Sequence, residues 1–437
     1  MASDIELDFT LESDSFGELA RLPRSLPGAL QPRSIFLNFD DAHDGTFRVS
    51  AYGPALPYDG NAQLSGTLKL SREDISAAVG RLHERWLQAV VRHEHAPRQY
   101  TYESLPVQTL GSNRAGVLLA EVGKELAVAG DALYRLLFLS GDKGLIRLEK
   151  ALSAALRSGP QTITVTSADL FVPWGMLYLP PAPDARLLRA DTAAEWPGFL
   201  GYTHLIEHCL GPVDDYTPFI SHGAERPKAG LHFDLRLQKP EKEEDGCPLR
   251  PVRNIVETHA DPTERTTKAE TAEALSEPDC AEHILVFAGH GTGKRPGRRG
   301  DEQAQVTLSD NKPIYASDLQ QWASHRDIRL PDPLCFMMVC EGGRAGMYLH
   351  EGLARPLFNL GVGCLIGPQV EVNTSFGSKF ACRFFEEFFK GECAAPVARH
   401  LTQEFILQHA TPLGLVFTLV RGIDNCLVDE AESEQRR

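Results

Sequence analysis

The chain has 437 residues, 42% of them hydrophobic and 24% charged, with 37 Gly and 29 Pro. That length holds two or three domain-sized units, and the composition excludes collagen-like, disordered and membrane-spanning classes. Lys plus Arg total 44 against 59 Asp plus Glu, a net charge of −15, which argues against direct nucleic-acid binding because phosphate contacts need a basic surface.

The opening residues, MASDIELDFTLESDSFGEL, are acidic and lack the apolar core of a signal peptide. No run approaches the ~18 uninterrupted apolar residues that a membrane helix needs. Nine cysteines without framework spacing read as reduced thiols. The expectation is a cytoplasmic protein with no membrane contact.

In chain order, 34–39 (SIFLNF) and 46–52 (TFRVSAY) are β-rich and separated by a loop with Asp44-Gly45, which predicts a hairpin. A third strand is expected at 63–70. Ser71, with Asp74 three residues on, opens a helix through about Val91. These elements predict a small N-terminal accessory or regulatory α/β domain over 1–110. From about 112 the pattern changes: Leu118, Val122, Leu126, Ala129, Leu133 and Leu137 mark one face of a helix. A second helix is expected at 144–157 and a strand at 161–166, followed by the apolar segment 170–178 (LFVPWGMLY) and a loop over 180–198.

The C-terminal half alternates strands and helices, the pattern of a mostly parallel sheet flanked by helices. Strands are expected at 229–237, 283–288, 334–339, 362–367 and 414–420, and helices near 267–275, 350–360, 374–390 and 395–408. The polar stretches 238–250 and 291–304 read as solvated loops, and no internal repeat of 20–50 residues is visible.

In open parallel sheets, functional groups gather beyond the C-terminal ends of strands. The strand at 283–288 runs into Gly289-His290-Gly291, and that at 334–339 runs into Cys340-Glu341-Gly342-Gly343. A cysteine nucleophile needs a base within reach, because the thiolate attacks and the thiol does not. Flanking glycines would let a substrate backbone approach and leave amides to hold an oxyanion. His290 precedes Cys340 by 50 positions, near the caspase spacing, although the full caspase signature around the cysteine is absent. The bland alternative, a loop histidine and a core thiol, is weakened by the strand ends and glycines.

The runs 283–291 (HILVFAGHG), 306–319 (VTLSDNKPIYASDL), 335–343 (CFMMVCEGG) and 351–369 (EGLARPLFNLGVGCLIGPQ) together resemble the CHAT branch of caspase-like cysteine peptidases, of clan CD. Residues 172–178 (VPWGMLY) resemble that family's upstream Pro-Trp motif, and 412–422 (PLGLVFTLVRG) its closing strand. The resemblance covers roughly 112–425. It implies a peptidase domain over 111–437 with its catalytic half at about 228–425, His290 as general base, Cys340 as nucleophile, and the amides of Gly291 and Cys340 as oxyanion hole. It implies no cofactor. It also suggests limited cleavage of a protein substrate, such as a pore-forming or other effector protein, in bacterial defence or cell death, with an upstream sensor as activator. Where the family often has an aromatic and an acidic residue after the 362–367 strand, this chain has Val370 and Asn373, and no helical repeats precede the domain.

Glu341, Glu371 and Asn373 follow strand ends and are candidate substrate-pocket residues; a buried carboxylate there would favour a basic P1 side chain. His350 is a possible alternative base, in a poorer position at a predicted helix start. A competing motif, His204-Leu-Ile-Glu207-His208, fits an inverted zinc-peptidase pattern. The segment reads more naturally as a strand, where positions four apart lie ~13 Å from each other and cannot share a metal. Gly291-Thr-Gly293-Lys294 lacks the remaining residues of a phosphate loop, and Gly361-Val-Gly363 suits a helix-to-strand turn. His93-Glu-His95 is too short a cluster for a metal, and G-x-S-x-G is absent. A non-catalytic adaptor on the same scaffold is the main rival to a cysteine endopeptidase, and it would have no need of both His290 and Cys340.

Overall fold

The computed structural model describes residues 31–57, 64–97, 99–103, 105–168, 170–181, 196–210, 218–223, 225–238, 247–277, 280–292, 304–324, 329–341 and 347–429. The expected turns and loops at 180–198, 238–250 and 291–304, together with Gly293-Lys294 and Gly342-Gly343, fall wholly or partly outside them. Cys340, Glu341 and His350 are described by backbone position.

Strand β1 (Ile35–Asp41) buries Ile35, Leu37 and Phe39 and leaves the alternate positions half exposed, the two-residue period of a one-sided sheet. It turns through Gly45, whose φ is +81°, into β2 (Phe47–Tyr52), with which it pairs antiparallel. Phe36 and Tyr52 stack across the pair with ring centres 4.9 Å apart. β3 (Leu64–Leu68) completes the meander. Helix α1 (Arg72–Trp86) opens on a reciprocal capping box: the Ser71 hydroxyl accepts the Asp74 amide, and the Asp74 carboxylate accepts the Ser71 amide. A wider turn carries it through Val91, as the sequence predicts.

β1 also pairs in parallel with β4 (Thr162–Thr166), and β4 with β5 (Leu205–Cys209). The five-stranded sheet therefore runs β3-β2-β1-β4-β5 and takes strands from both sides of position 110. Helices α2 (Ser112–Leu139) and α3 (Lys143–Ser158) pack against α1 and β3 respectively. Val122, Leu126, Leu133 and Leu137 form the buried face of α2. Gly130 lets the Pro-Trp segment lie directly on that helix, since a Cβ there would stand 2.6 Å from the Met176 carbonyl oxygen.

The second sheet contains β6 (Lys228–Phe233), β7 (Asp261–Arg265), β8 (Ile284–Thr292), β9 (Gln305–Thr307), β10 (Pro313–Tyr315), β11 (Leu334–Glu341), β12 (Cys364–Pro368) and β13 (Phe417–Val420). Its main path is β7-β6-β8-β11-β12-β13; the first four pairings are parallel and the last is antiparallel. β9 and β10 form a hairpin laid antiparallel on the end of β8. Leu334 to Met338 are all at most 1% exposed, as a strand covered on both faces requires. Helices flank the sheet, so the fold class is the expected mixed α/β with a mostly parallel sheet. α4 (Leu249–His259) packs against α8 (Thr374–Phe388), and α8 against β11 and α9 (Ala394–His409). Phe336 of β11 meets Phe384 and Phe385 of α8 at ring-centre distances of 5.2 and 5.3 Å. A second set stacks α5 (Lys268–Ser276) on α6 (Ala316–Ser324) and α6 on α7 (Met347–Leu360), with α7 against β8.

The two sheets meet where β5 lies against β13, and one buried apolar cluster runs through both, from Ile35 to Leu427. Helix α4, strand β7, helix α6 and the β9–β10 hairpin have no counterpart among the expected elements. β6 stops at Phe233 rather than continuing to 237, because Asp234 turns the chain: its carboxylate accepts the Arg236 amide. No described helix is long and apolar enough to cross a membrane.

Candidate functional site

β8 and β11 run past their predicted ends, to Thr292 and Glu341, so His290 and Cys340 lie inside a ladder rather than just beyond it. The register is in step from Ile284↔Leu334 to Gly291↔Glu341, and it sets His290 directly opposite Cys340. Neighbouring strands lie ~4.8 Å apart, and opposed positions share a face of the sheet. Apolar β-branched and large residues build both strands up to this point, and the small Ala288 and Gly289 thin β8 just before it. On its other side His290 lies opposite Thr307 of β9. Its side chain is 53% exposed.

The imidazole has a neighbour that sequence reading missed. Asp234, at the C-terminal end of β6 and fully buried, brings its Oδ2 to 3.9 Å from His290 Nε2. That distance is ionic contact rather than a hydrogen bond. The backbone places it, since the Asp234 amide donates to the Ala288 carbonyl at 2.7 Å, two residues before His290. The carboxylate is held by a fork: Arg236 Nε donates to Oδ1 at 2.8 Å and Nη2 to Oδ2 at 2.7 Å. The Asp234 hydrogen bonds raise the Arg236 guanidinium above its ordinary value. The same Nη2 donates to the Leu308 carbonyl at 2.9 Å. Ser309 ties the loop down by accepting the Leu235 amide and donating to the Phe233 carbonyl. Reading 229–237 as one strand hid Asp234; the signal was a lone Asp between apolar residues at the C-terminal edge of a parallel sheet.

Gly291 lies opposite Glu341 on one side and Val306 on the other. Asn373 caps α8: its Oδ1 accepts the Phe376 amide at 2.7 Å, and its Nδ2 donates to the Tyr102 carbonyl at 2.5 Å. Both ends of that amide are thus used within the protein. Glu371 is half-buried between β12 and α8.

His204, Glu207 and His208 are spread over the end of a short helical turn (Leu200–Thr203) and strand β5. His204 Nδ1 accepts the Gln161 amide at 3.1 Å, and His208 Nε2 lies 3.2 Å from the Ser167 carbonyl. Glu207 is a structural hub: Oε1 accepts Arg33 and Thr164, and Oε2 accepts the amides of Gly422 and Ile423. Burial lowers both histidines to about 4. Among the described residues no group of three or more His, Cys, Asp or Glu side chains is arranged to hold a metal ion.

Eight other cysteines are free thiols, and six of them are buried. Burial pushes Cys209, Cys335 and Cys364 up, and Cys382 up to about 12. Those four thiols are poor nucleophiles, because the reactive species is the thiolate.

No protein-family model matches the chain, and neither does any curated protein. Its fold is similar to solved structures at low identity. One is the Saccharomyces cerevisiae separase–securin complex, at 10% identity and a TM-score of 0.43, covering 89% of this chain and 30% of that one. A second is the Arg-specific cysteine proteinase gingipain R, at 8% identity and a TM-score of 0.40, covering 63% of this chain and 68% of that one. A third is the complex of RgpB pro- and mature domains from Porphyromonas gingivalis, at 7% identity and a TM-score of 0.39, covering 63% and 69%. The chain thus spans less than a third of the separase chain it matches.

Proposed function

We propose that the chain is a caspase-like cysteine endopeptidase of the CHAT type that makes limited cuts in a specific protein partner. The observation that supports this reading above others is the cross-strand register that sets His290 opposite Cys340 at the C-terminal edge of a parallel sheet. Positions opposed across a ladder share a face and lie within side-chain reach of each other, which suits a base and its nucleophile. The motif resemblance supplies the roles.

The Cys340 thiol gives its proton to His290, and the sulfur attacks the scissile carbonyl carbon. The amides of Gly291 and Cys340 receive the oxyanion of the tetrahedral intermediate. As the C–N bond breaks, the imidazolium returns the proton to the leaving amine, which leaves a thioester on Cys340. Water then attacks the thioester with His290 as base, and the new carboxylate terminus departs. Asp234, with its Oδ2 3.9 Å from His290 Nε2, stabilises the imidazolium that forms at both steps. The chemistry calls for no cofactor. The substrate is a protein of the pore-forming or another effector class in a bacterial defence or cell-death pathway, located in the cytoplasm, with an upstream sensor acting through the N-terminal elements. Glu341 and Glu371 are the pocket residues to vary first.

The test is covalent labelling of the purified full chain by a peptidyl acyloxymethyl ketone, with the adduct located by mass spectrometry. Labelling confined to the Cys340 peptide and lost in His290→Ala supports the reading. Labelling equally distributed over the other thiols, or insensitive to His290→Ala, overturns it.

A further inference from the structure

Arg236 takes no part in the thiol and imidazole proton transfers, yet it is the partner that fixes the Asp234 carboxylate 3.9 Å from the imidazole. Asp234 is 0% exposed, and a buried charge persists only when it is paired and hydrogen-bonded. Arg236 meets that need on both oxygens, at 2.8 and 2.7 Å, while its backbone amide adds a third bond to Oδ1 at 3.0 Å. It then spends its remaining reach on the Leu308 carbonyl, in the loop between β9 and β10. That hairpin is the element whose β9 strand pairs with His290, Gly291 and Thr292. One side chain therefore links the hairpin, the buried carboxylate and the imidazole in a continuous line.

We propose that Arg236 is a positioning residue for His290, acting through Asp234: clamped on the Leu308 carbonyl, it holds Asp234 Oδ2 facing the imidazole and sets the electrostatic field of the His290–Cys340 pair. The inference rests on the peptidase reading and deepens it, because it makes the β9–β10 hairpin a lever on the site. A partner or substrate that shifts the hairpin moves the Leu308 carbonyl and loosens the fork. The charged and titratable groups around the imidazole include Asp234 and Arg236 at the end of β6 and Asp310 in the hairpin loop. Asp310 acts on Arg236 electrostatically. Cys340 and Glu341 stand across the ladder on β11.

The sign of the effect follows from charge. Removing the Arg236 cation leaves the Asp234 carboxylate held by the residue-236 amide and paired with the imidazolium in the guanidinium's place, so its stronger negative field makes both the imidazole and the thiol bind protons more tightly. The pH profile for alkylation of Cys340 by iodoacetamide reads this without a known substrate, with the Cys340 peptide quantified by mass spectrometry in the full chain. Arg236→Ala and Arg236→Gln are expected to move the whole profile to higher pH by about one unit. Arg236→Lys keeps the charge without the fork and is expected to fall between them and wild type. Asp234→Asn is expected to move the profile the opposite way. Arg236 is partly exposed, and thermal melts of each variant identify any that unfold; Arg236→Lys then carries the test. A role confined to structure would change stability and leave the profile in place. A profile unmoved in folded Arg236→Ala and Arg236→Gln overturns the inference alone. A wild-type profile indifferent to His290→Ala overturns the dyad, and the inference with it.

Discussion

Asp234 Oδ2 and His290 Nε2 stand 3.9 Å apart, and the two residues arrive there from neighbouring strands whose pairing brings the Asp234 amide onto the Ala288 carbonyl. Backbone bonds fix the approach, so Asp234→Asn keeps the residue in place while it removes the charge and leaves one of the two Arg236 donors without its acceptor. Asp234→Asn is expected to lower kcat/KM by roughly 10- to 100-fold, chiefly through kcat, since the carboxylate acts on a charge that forms during reaction. Steady-state kinetics on a cleavable peptide check this. An unchanged kcat contradicts a catalytic use of the contact.

Glu207 joins three parts of the chain that are distant in sequence: Arg33 before β1, Thr164 on β4, and the turn at Gly422 and Ile423. Glu207→Ala removes one of the two carboxylates on Arg33, which keeps Asp424, and leaves the buried amides of Gly422 and Ile423 without their acceptor. The expected loss is roughly 2–5 kcal/mol, at about 1–3 for each buried amide left unpaired. Urea denaturation midpoints of the variant and wild type measure it. A metal chelator should leave wild-type stability unaltered, because Glu207 is occupied by protein donors.

Acid should destabilise the fold through three buried histidines. Burial lowers His204 and His208 to about 4 and His232 to about 3. At neutral pH each is uncharged in both states, so this stability is present in full. As pH falls below the unfolded value near 6.5, the unfolded chain takes up protons that the native chain refuses, down to the folded values. Each histidine then costs on the order of 2 kcal/mol by pH 5. His232 stacks on Phe287 at 4.4 Å and its Nδ1 lies 3.0 Å from the buried Thr271 hydroxyl, so the double change His232→Phe with Thr271→Val removes both polar partners together and should flatten the dependence. Urea melts at pH 7 and pH 5 on both proteins provide the check.

Gly361 ends α7 with φ at +108°, and a Cβ there would lie 2.5 Å from the Leu330 amide nitrogen. Gly361→Ala therefore suffers both backbone strain and collision, at a cost of about 1–3 kcal/mol. Thermal melts test this, with the half-buried helical Gly80, where a Cβ meets nothing within 4 Å, as the comparison site.

The strands and caps that sequence revealed are those with local causes. The apolar runs of β8, β11 and β12 are buried on both faces and have no competing helical period. Asp44-Gly45 and Ser71–Asp74 act within a few residues, and the glycines at 361 and 363 do form the helix-to-strand turn that their spacing suggested. Pairings across long separations were not legible. Ser34 donates its amide to Thr162, 128 places away, which joins the N-terminal meander to β4, and no local pattern encodes that partnership. Asp234 was hidden for a related reason, since its importance comes from the neighbour that the β6–β8 ladder supplies. At His204 the local pattern favoured a strand from 199 onward, but the chain makes a helical turn over Leu200–Thr203 first, where Gly201 packs against Gly175.

The dyad is tested most directly by cleavage itself. Wild type, Cys340→Ala and His290→Ala are each incubated with proteins of the native host, and new N-termini are read by mass spectrometry. With the wild type, new termini that share one P1 residue type are expected, and with either variant those termini are absent. Termini that persist in Cys340→Ala would contradict the dyad.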